Sequence, residues 1–114
     1  TDTVLHIASG AENYVPVAKV TNLSQSIITA RNAGYFIAGT VVNDGVSLYE
    51  SQLPFPLCIV IGSEGKGIRH GLANHLDLML TIPMSGAGLS FNAAQATTIL
   101  CYEIVRQRTK GQEI

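Results

Sequence analysis

Three short runs of apolar and β-branched residues constrain the fold of this chain more than any other feature. They occupy residues 35–42, 57–62 and 78–82. Each run is continuously apolar instead of alternating with polar residues, which is typical of strands that are covered on both faces of a sheet. Fully covered strands of this kind belong mainly to parallel sheets, whose successive strands need a long connection. The runs therefore predict a buried parallel sheet.

Helical patterns fill the intervals between these runs. The first predicted helix begins after a cap at Thr21 or Asn22 and ends at Gly34. The remaining predicted elements are a short strand at 15–20, a helical turn at 47–52, a helix at 68–76 and a last helix from Ser90 to about Gln107. Alternating strands and helices predict an α/β fold, a parallel sheet with flanking helices, in which ligands bind at the carboxyl ends of the strands.

The composition fits one globular domain without a pronounced charge. The 114 residues allow one domain at most, and 46% hydrophobic residues with a mean hydropathy of +0.28 are enough for a well-buried core. Seven Lys and Arg against eight Asp and Glu give a formal charge of −1, so a nucleic-acid contact has to rest on a local cluster.

Cysteine usage and hydropathy bear on the compartment. Cys58 and Cys101 lie in apolar contexts without a paired spacing, so we expect both to be buried, reduced thiols. No apolar run reaches about 18 residues, and the N-terminus shows no basic region followed by an apolar stretch. These features predict a cytoplasmic protein without a membrane span.

Two glycine-bearing loops follow the second and third apolar runs. The first is Gly62-Ser-Glu-Gly-Lys-Gly, and the second runs from Ile82 to Ser90. Pro83 cannot donate to a sheet ladder and the glycines permit positive φ, so the chain leaves the sheet near Ile82. Ser90 is a suitable N-cap for the last helix, and Asn92 falls in its first turn, where free N–H groups favour electron-rich ligands. Both loops emerge from the same edge of the predicted sheet, which makes that edge a candidate pocket.

The last helix carries two apolar stripes. One stripe comprises Phe91, Ala94, Thr98, Tyr102 and Val105, and the other comprises Ala93, Ala96, Leu100 and Ile104. A helix that is apolar over most of its circumference has to be covered on more than one side. We expect the second cover to be another subunit in a homodimer, with burial inside a larger domain as the alternative. Residues 109–114 are expected to be a solvated tail.

Two of these segments resemble known motifs. Ile59-Val-Ile-Gly-Ser-Glu-Gly-Lys-Gly-Ile is followed about twenty residues later by Ile82-Pro-Met-Ser-Gly and Ser90-Phe-Asn-Ala, then by Tyr102-Glu and Arg106-Gln-Arg. They resemble motifs 2 and 3 of the SpoU-type, or TrmH-like, RNA 2′-O-ribose methyltransferases of the SPOUT superfamily. Residues upstream of them are most similar to the branch that methylates a guanosine ribose of large-subunit ribosomal RNA. The resemblance implies a C-terminal trefoil knot and an enzyme that acts on ribosomal or transfer RNA.

The resemblance also assigns roles to individual positions. The S-adenosylmethionine pocket maps onto Thr40, Gly62, Ile82 and Phe91, where leucine is the usual residue at the last position. The catalytic or substrate-orienting positions are Glu64, Ser90 and Asn92, and Lys66 and Arg69 are the candidates for RNA phosphates. Structural alternatives remain open, because Glu64 and Ser90 could be helix caps, Asn92 a buried amide that bridges the loops, and the two basic residues a solvated face.

One expected motif is absent. SpoU-type enzymes carry an Asn and an Arg in an N-terminal motif 1, and no such motif precedes Ala8-Ser-Gly-Ala here. Residues 1–114 therefore resemble the C-terminal portion of a single catalytic domain, and we expect this portion alone to lack methyl transfer. A catalytically inactive RNA-binding relic of the same fold is an alternative.

A dinucleotide-binding α/β fragment is the other alternative, and its signal in the sequence is weak. Gly65-Lys-Gly-Ile-Arg-His-Gly follows a strand as in a dinucleotide-binding unit, but the next strand ends in Thr81-Ile82-Pro83 without the acidic residue that such a unit needs. His6, His70 and His75 show no metal-ligand spacing, so no metal is predicted. Arg106, Arg108 and Lys110 form a basic cluster that also complements the end of the last helix.

Overall fold

The computed structural model describes residues 15–42, 44–62, 70–83 and 93–112 of the chain. Its elements, in chain order, are α1 (Leu23–Asn32), β1 (Phe36–Thr40), β2 (Val46–Ser47), a 3-10 helix (Leu48–Glu50), β3 (Leu57–Val60), α2 (His70–Ala73), β4 (Leu78–Thr81) and α3 (Ala93–Gln112). The three predicted apolar strands, the helical turn and the alternation of strand and helix are confirmed.

The described strands form one four-stranded sheet in the order β2-β4-β1-β3, and all three neighbouring pairs are parallel. Phe36 is opposite Leu57, and Ala38 is opposite Leu78, so β1 lies at the centre between β3 and β4. The predicted parallel sheet is therefore confirmed. The knot stays a prediction, because residues 84–92 lie outside the described part of the chain.

Side chains from the two sheet faces enter separate hydrophobic clusters, as continuously apolar strands predict. One face contributes Ala38 and Leu80, which pack with Leu100 of α3 and with Leu48 and Leu53. The other face contributes Ile37 and Val60, which pack with Ile27 of α1 and Leu72 of α2. Successive residues of a strand point to opposite faces, so the helices cover the sheet on both sides.

Local signals in the sequence fix the ends of α1. Asn22 is the N-cap, and its side-chain oxygen accepts a hydrogen bond from the Gln25 N–H at 3.0 Å. After the helix, Gly34 adopts a φ of +97°, a conformation that costs other residues energy. The predicted cap and stop are therefore confirmed.

Asp77 holds α1 and β1 to the turn before β4. Its Oδ2 accepts a hydrogen bond from the Ile37 N–H at 2.8 Å, and its own N–H donates to the Ile37 carbonyl at 2.7 Å. Its Oδ1 lies 3.3 Å from the Arg31 guanidinium, which also donates to the His75 carbonyl. These contacts lie at the amino ends of β1 and β4, away from the predicted pocket.

The predicted strand at 15–20 and the predicted end of the last helix near Gln107 are wrong. Residues 15–20 form no strand and are exposed, because the apolar Val15, Val17 and Val20 have no strand beside them within the described residues. The last helix continues to Gln112, so the predicted tail at 109–114 is helical over its first four residues, although Thr109 and Lys110 are exposed as expected. Gly111 lowers helix propensity without ending a helix that gains one hydrogen bond per added residue.

The two stripes of α3 differ in environment. Ala96 and Leu100 are buried against the sheet, whereas Tyr102 and Val105 on the other stripe are 73% and 62% exposed. Cys101 lies on the exposed side, so the expectation that it is buried is wrong, while Cys58 is partly buried and both are free thiols. Helical periodicity places Cys101 next to Val105 and away from Leu100.

Within the described ranges, the helices are too short or too polar to span a membrane.

Candidate functional site

The carboxyl ends of β4, β1 and β3 lie side by side at one edge of the sheet. Thr40 is the last residue of β1, Gly62 follows β3 by two residues, and Ile82 comes directly after β4. Because the three strands are parallel neighbours, these residues are gathered at one edge although they are far apart in the sequence. Three of the four predicted cofactor positions therefore share one location, and it is where open parallel sheets bind ligands.

A hydrogen bond joins two of the three strand ends. The Gly62 N–H donates to the Thr40 Oγ1 at 3.4 Å, which is long and therefore weak. A hydroxyl that accepts one hydrogen bond can still donate its own proton to a ligand. Both residues are partly buried. The pair thus offers polar groups at the edge of an otherwise apolar sheet.

Ile82 contributes an apolar side chain at the same edge of the sheet. It is partly buried and packs against the cluster that contains Leu80 and Leu100. The position of Ile82 is thus fixed by the same hydrophobic cluster that holds α3 on the sheet. An apolar surface next to a glycine backbone and a hydroxyl suits a flat, partly polar group such as a nucleoside.

Thr81 lies at the same edge of the sheet and is not among the positions predicted from the sequence. Its Oγ1 accepts a hydrogen bond from the Gly45 N–H at 2.9 Å and donates to the Val41 carbonyl at 3.1 Å. These contacts tie both ends of the 41–45 segment, which follows Thr40, to the end of β4. The only signal in the sequence is a threonine at a strand end directly before Ile82, and it does not reveal partners that are 36 and 40 residues away.

The other predicted site residues lie outside the described part of the chain. They are Glu64, Ser90 and Asn92 for catalysis, Phe91 for the cofactor, and Lys66 and Arg69 for RNA. Their roles stay predictions. The described part of α3 begins at Ala93, directly after Asn92.

The basic cluster of α3 is partly engaged within the protein. Arg106 donates to both carboxylate oxygens of Glu103 at 2.7 Å, and Gln107 donates to Glu103 Oε2 at 2.6 Å. These hydrogen bonds hold the pKa of Glu103 at about 2, below its ordinary value of 4.5. The Arg108 guanidinium lies 5.9 Å from the centre of the Phe55 ring. These contacts support the structural interpretation of Arg106 and Arg108.

Comparison with known proteins gives a family match over most of the chain. The model of the SpoU rRNA Methylase family matches residues 1–102. An uncharacterised tRNA/rRNA methyltransferase of Synechocystis is 43% identical over 108 residues, 95% of this chain and 28% of the relative. The 23S rRNA (guanosine-2′-O-)-methyltransferase RlmB of Yersinia pestis is 38% identical over 102 residues, 90% of this chain and 42% of the relative. The chain thus spans less than half the length of either relative.

A solved structure has a similar fold. The SpoU methyltransferase AviRb from Streptomyces viridochromogenes, in complex with AdoMet, superposes with a TM-score of 0.81 at 27% identity. The match covers 93% of this chain and 44% of the other. It supports the parallel α/β fold with flanking helices.

Proposed function

Because the chain belongs to the SpoU rRNA Methylase family, we propose that it is the C-terminal portion of an S-adenosylmethionine-dependent RNA 2′-O-ribose methyltransferase. The convergence of Thr40, Gly62 and Ile82 at one sheet edge is the structural observation that carries this proposal. The relative from Yersinia pestis acts on a guanosine of 23S ribosomal RNA, so a large-subunit guanosine is the first substrate to test. Transfer RNA is the other substrate class, which the name of the Synechocystis relative supports.

The cofactor is S-adenosylmethionine, and the described residues suit it. Gly62 has no Cβ to block the approach of an adenosyl group to its backbone, and the Thr40 hydroxyl, which accepts the Gly62 N–H, can donate a hydrogen bond to that group. Ile82 offers an apolar contact for the base, and Phe91 is proposed to cover its other side. The C-terminal trefoil knot implied by the resemblance is part of the proposal.

The catalytic work consists mainly of orientation. The bound cofactor supplies an electrophilic methyl group. Glu64, Ser90 and Asn92 are proposed to hold the ribose 2′-hydroxyl in line with that group, and such positioning can provide a large part of a rate enhancement. Lys66 and Arg69 are proposed to contact RNA phosphates, which fix the position of the strand without reading its sequence.

The 114 residues contain no match to motif 1 and its Arg. We therefore expect the isolated chain to bind the cofactor without transferring its methyl group. A methylation assay with a large-subunit RNA transcript checks this, and full activity of the isolated chain would contradict the role given to that Arg.

The exposed stripe of α3 is proposed to form a homodimer. Tyr102 and Val105 present large apolar surfaces to solvent on the side opposite the core. Sedimentation equilibrium of the wild type and of Val105→Asp tests this assembly, since a buried charge would separate the subunits. A cytoplasmic location is part of the proposal, and relatives named for tRNA and rRNA support it.

Calorimetric titration with S-adenosylmethionine tests the cofactor site, with NADPH as the control ligand. We expect saturable binding by the wild type and at least tenfold weaker binding by Gly62→Val, whose side chain would fill the approach to the backbone. Gly71→Val is the matched control, because a Cβ at Gly71 meets no atom within 4 Å. Asn92→Ala should retain cofactor binding, since its proposed role concerns the RNA.

The outcomes separate the alternatives. Binding of NADPH alone would refute the methyltransferase proposal in favour of a dinucleotide site. Binding of neither ligand would refute a cofactor pocket in this chain and favour the inactive relic.

A further inference from the structure

We propose that Thr81 is a positioning residue for the cofactor site. Its hydroxyl shapes the site by attaching Val41 and Gly45 to the end of β4. This role rests on the proposed function, since it concerns how the chain holds S-adenosylmethionine. Thr81 itself need not touch the cofactor. It acts through its two neighbours in the site, Thr40 and Ile82.

The Thr81 hydroxyl adds a contact between β1 and β4 beyond the Val41–Leu80 backbone hydrogen bond. The Val41 N–H donates to the Leu80 carbonyl at 2.9 Å, which extends the pairing of β1 and β4 by one residue. Beyond that point, the Thr81 Oγ1 donates to the Val41 carbonyl at 3.1 Å and accepts from the Gly45 N–H at 2.9 Å. One side chain thereby satisfies two backbone groups, the Val41 carbonyl and the Gly45 N–H.

The fit around Gly45 is close. A Cβ added at Gly45 would lie 2.6 Å from Thr81 Oγ1, 2.7 Å from Val41 Cγ2 and 2.9 Å from the Met79 carbonyl oxygen. Directly after Gly45, Val46 and Ser47 pair with Leu80 and Thr81. Val41 and Gly45 are thus both held close to β4, and a displacement of Thr81 has to move them.

The contacts of Thr81 span the two sides of the candidate pocket. Val41 follows Thr40 on the β1 side, and Thr81 precedes Ile82 on the β4 side. Thr40 in turn accepts the hydrogen bond from Gly62 at the end of β3. Two threonine hydroxyls therefore connect three strand ends, and loss of the Thr81 hydroxyl weakens the attachment of Val41, which follows Thr40, to the end of β4.

The test compares S-adenosylmethionine affinity in four forms of the full chain by calorimetry. Thr81→Val keeps the shape of the side chain and removes both hydrogen bonds, so we expect about tenfold weaker binding. Thr81→Ser keeps the hydroxyl and should bind within about threefold of the wild type. Thr29→Val is the matched control, because the Thr29 hydroxyl is exposed on α1 and donates locally to the Gln25 carbonyl.

A variant that only destabilises the fold serves as a second control. Asp77→Ala removes contacts at the amino ends of β1 and β4, far from the candidate site, so it should lower stability. It should leave the affinity for S-adenosylmethionine unchanged at temperatures where the chain is folded. If Thr81→Val does not fold, Gly45→Ala displaces the same segment with the hydroxyl intact, and weaker binding by that variant supports the role.

Unchanged affinity in Thr81→Val, or in Gly45→Ala where that variant carries the test, would overturn the positioning role and leave the cofactor site standing. Weak binding by Thr81→Ser as well as by Thr81→Val would also overturn it, because the hydroxyl would then not be the determining group. A wild type that binds no S-adenosylmethionine would overturn the proposed function and this role together. The two failures are therefore distinguishable.

Discussion

Gln107 offers the sharpest test of how α3 is held on the domain. Its Oε1 accepts a hydrogen bond from the Leu53 N–H at 2.8 Å, and its Nε2 donates to the Ser51 carbonyl at 2.8 Å and to Glu103 Oε2 at 2.6 Å. One amide thus joins the helix to the segment that follows the 3-10 helix. Replacing it with leucine removes all three bonds at similar volume.

The expected loss follows from these contacts. Hydrogen bonds contribute about 0.5–1.5 kcal/mol each, so the three together contribute about 1.5–4.5 kcal/mol. Leu53 is 6% exposed, so the substitution leaves its N–H buried without a partner. The loss of stability should therefore exceed the lower end of this range. We expect Gln107→Leu to lower the free energy of unfolding by about 3 kcal/mol. At an unfolding entropy of roughly 2.1 cal/mol/K per residue, this corresponds to a fall in Tm of about 12 °C.

Urea unfolding followed by circular dichroism measures this change, and a thermal melt provides the second estimate. Gln107→Glu is an informative companion, because it keeps an acceptor for Leu53 but brings a second carboxylate against Glu103. Its stability should recover in part as the pH falls and the two carboxylates share a proton. Lys110→Ala, at an exposed site of the same helix, should change stability by less than about 0.5 kcal/mol. A Gln107→Leu variant within about 0.5 kcal/mol of the wild type would refute the clamp.

Three further predictions concern the stability of the same chain. The pKa of Glu103 is about 2 in the folded protein, below its ordinary value of 4.5, so its contribution is complete above pH 4.5 and is lost as the pH falls towards 2. Glu103→Gln should make the free energy of unfolding less dependent on pH between pH 4.5 and pH 2. If urea unfolding shows the same pH dependence in this variant as in the wild type, the pairing with Arg106 is contradicted. Asp77→Ala leaves the fully buried Ile37 without an acceptor for its N–H and should cost about 2 kcal/mol in urea unfolding, whereas a neutral result would show that another group satisfies it. Gly34→Ala should cost about 1 kcal/mol in a thermal melt through its φ of +97° alone, since a Cβ there meets no atom within 4 Å, and a stabilised variant would argue against that backbone conformation.

The sequence predicts the central strands well because their burial on two faces leaves a strong signal. Residues 36–40, 57–60 and 78–81 are apolar without alternation. The structure buries side chains of β1 and β3 in both hydrophobic clusters, whereas β4 buries Leu80 on one face and leaves Met79 on the other 46% exposed. β2 is not predicted from the sequence, because two residues are too short for a recognisable pattern and their strand conformation depends on pairing with β4. The run at 15–20 has the composition of a strand, but composition alone does not supply a partner.

Some residues of the candidate site are predictable from the sequence and others are not. Resemblance to a family predicts Thr40, Gly62 and Ile82 as cofactor positions, and the strand order explains why residues so distant in sequence lie at one edge. Thr81 could not be found in this way, because its role depends on a backbone approach at Gly45 that the sequence does not encode locally. The roles of Glu64 and Asn92 stay predictions.

The strand order has a consequence for the synthesis of this protein on the ribosome. β4 is the last of the four described strands to be translated, yet it lies between β2 and β1 in the sheet. β1 and β3 can pair as soon as both have emerged, but β2 has no neighbour in this sheet until β4 follows it. A nascent chain that stops before residue 78 therefore exposes one side of β1 and all of β2, and such non-local pairing slows folding. Ribosome-bound chains of increasing length should gain protease resistance only after β4 has left the exit tunnel.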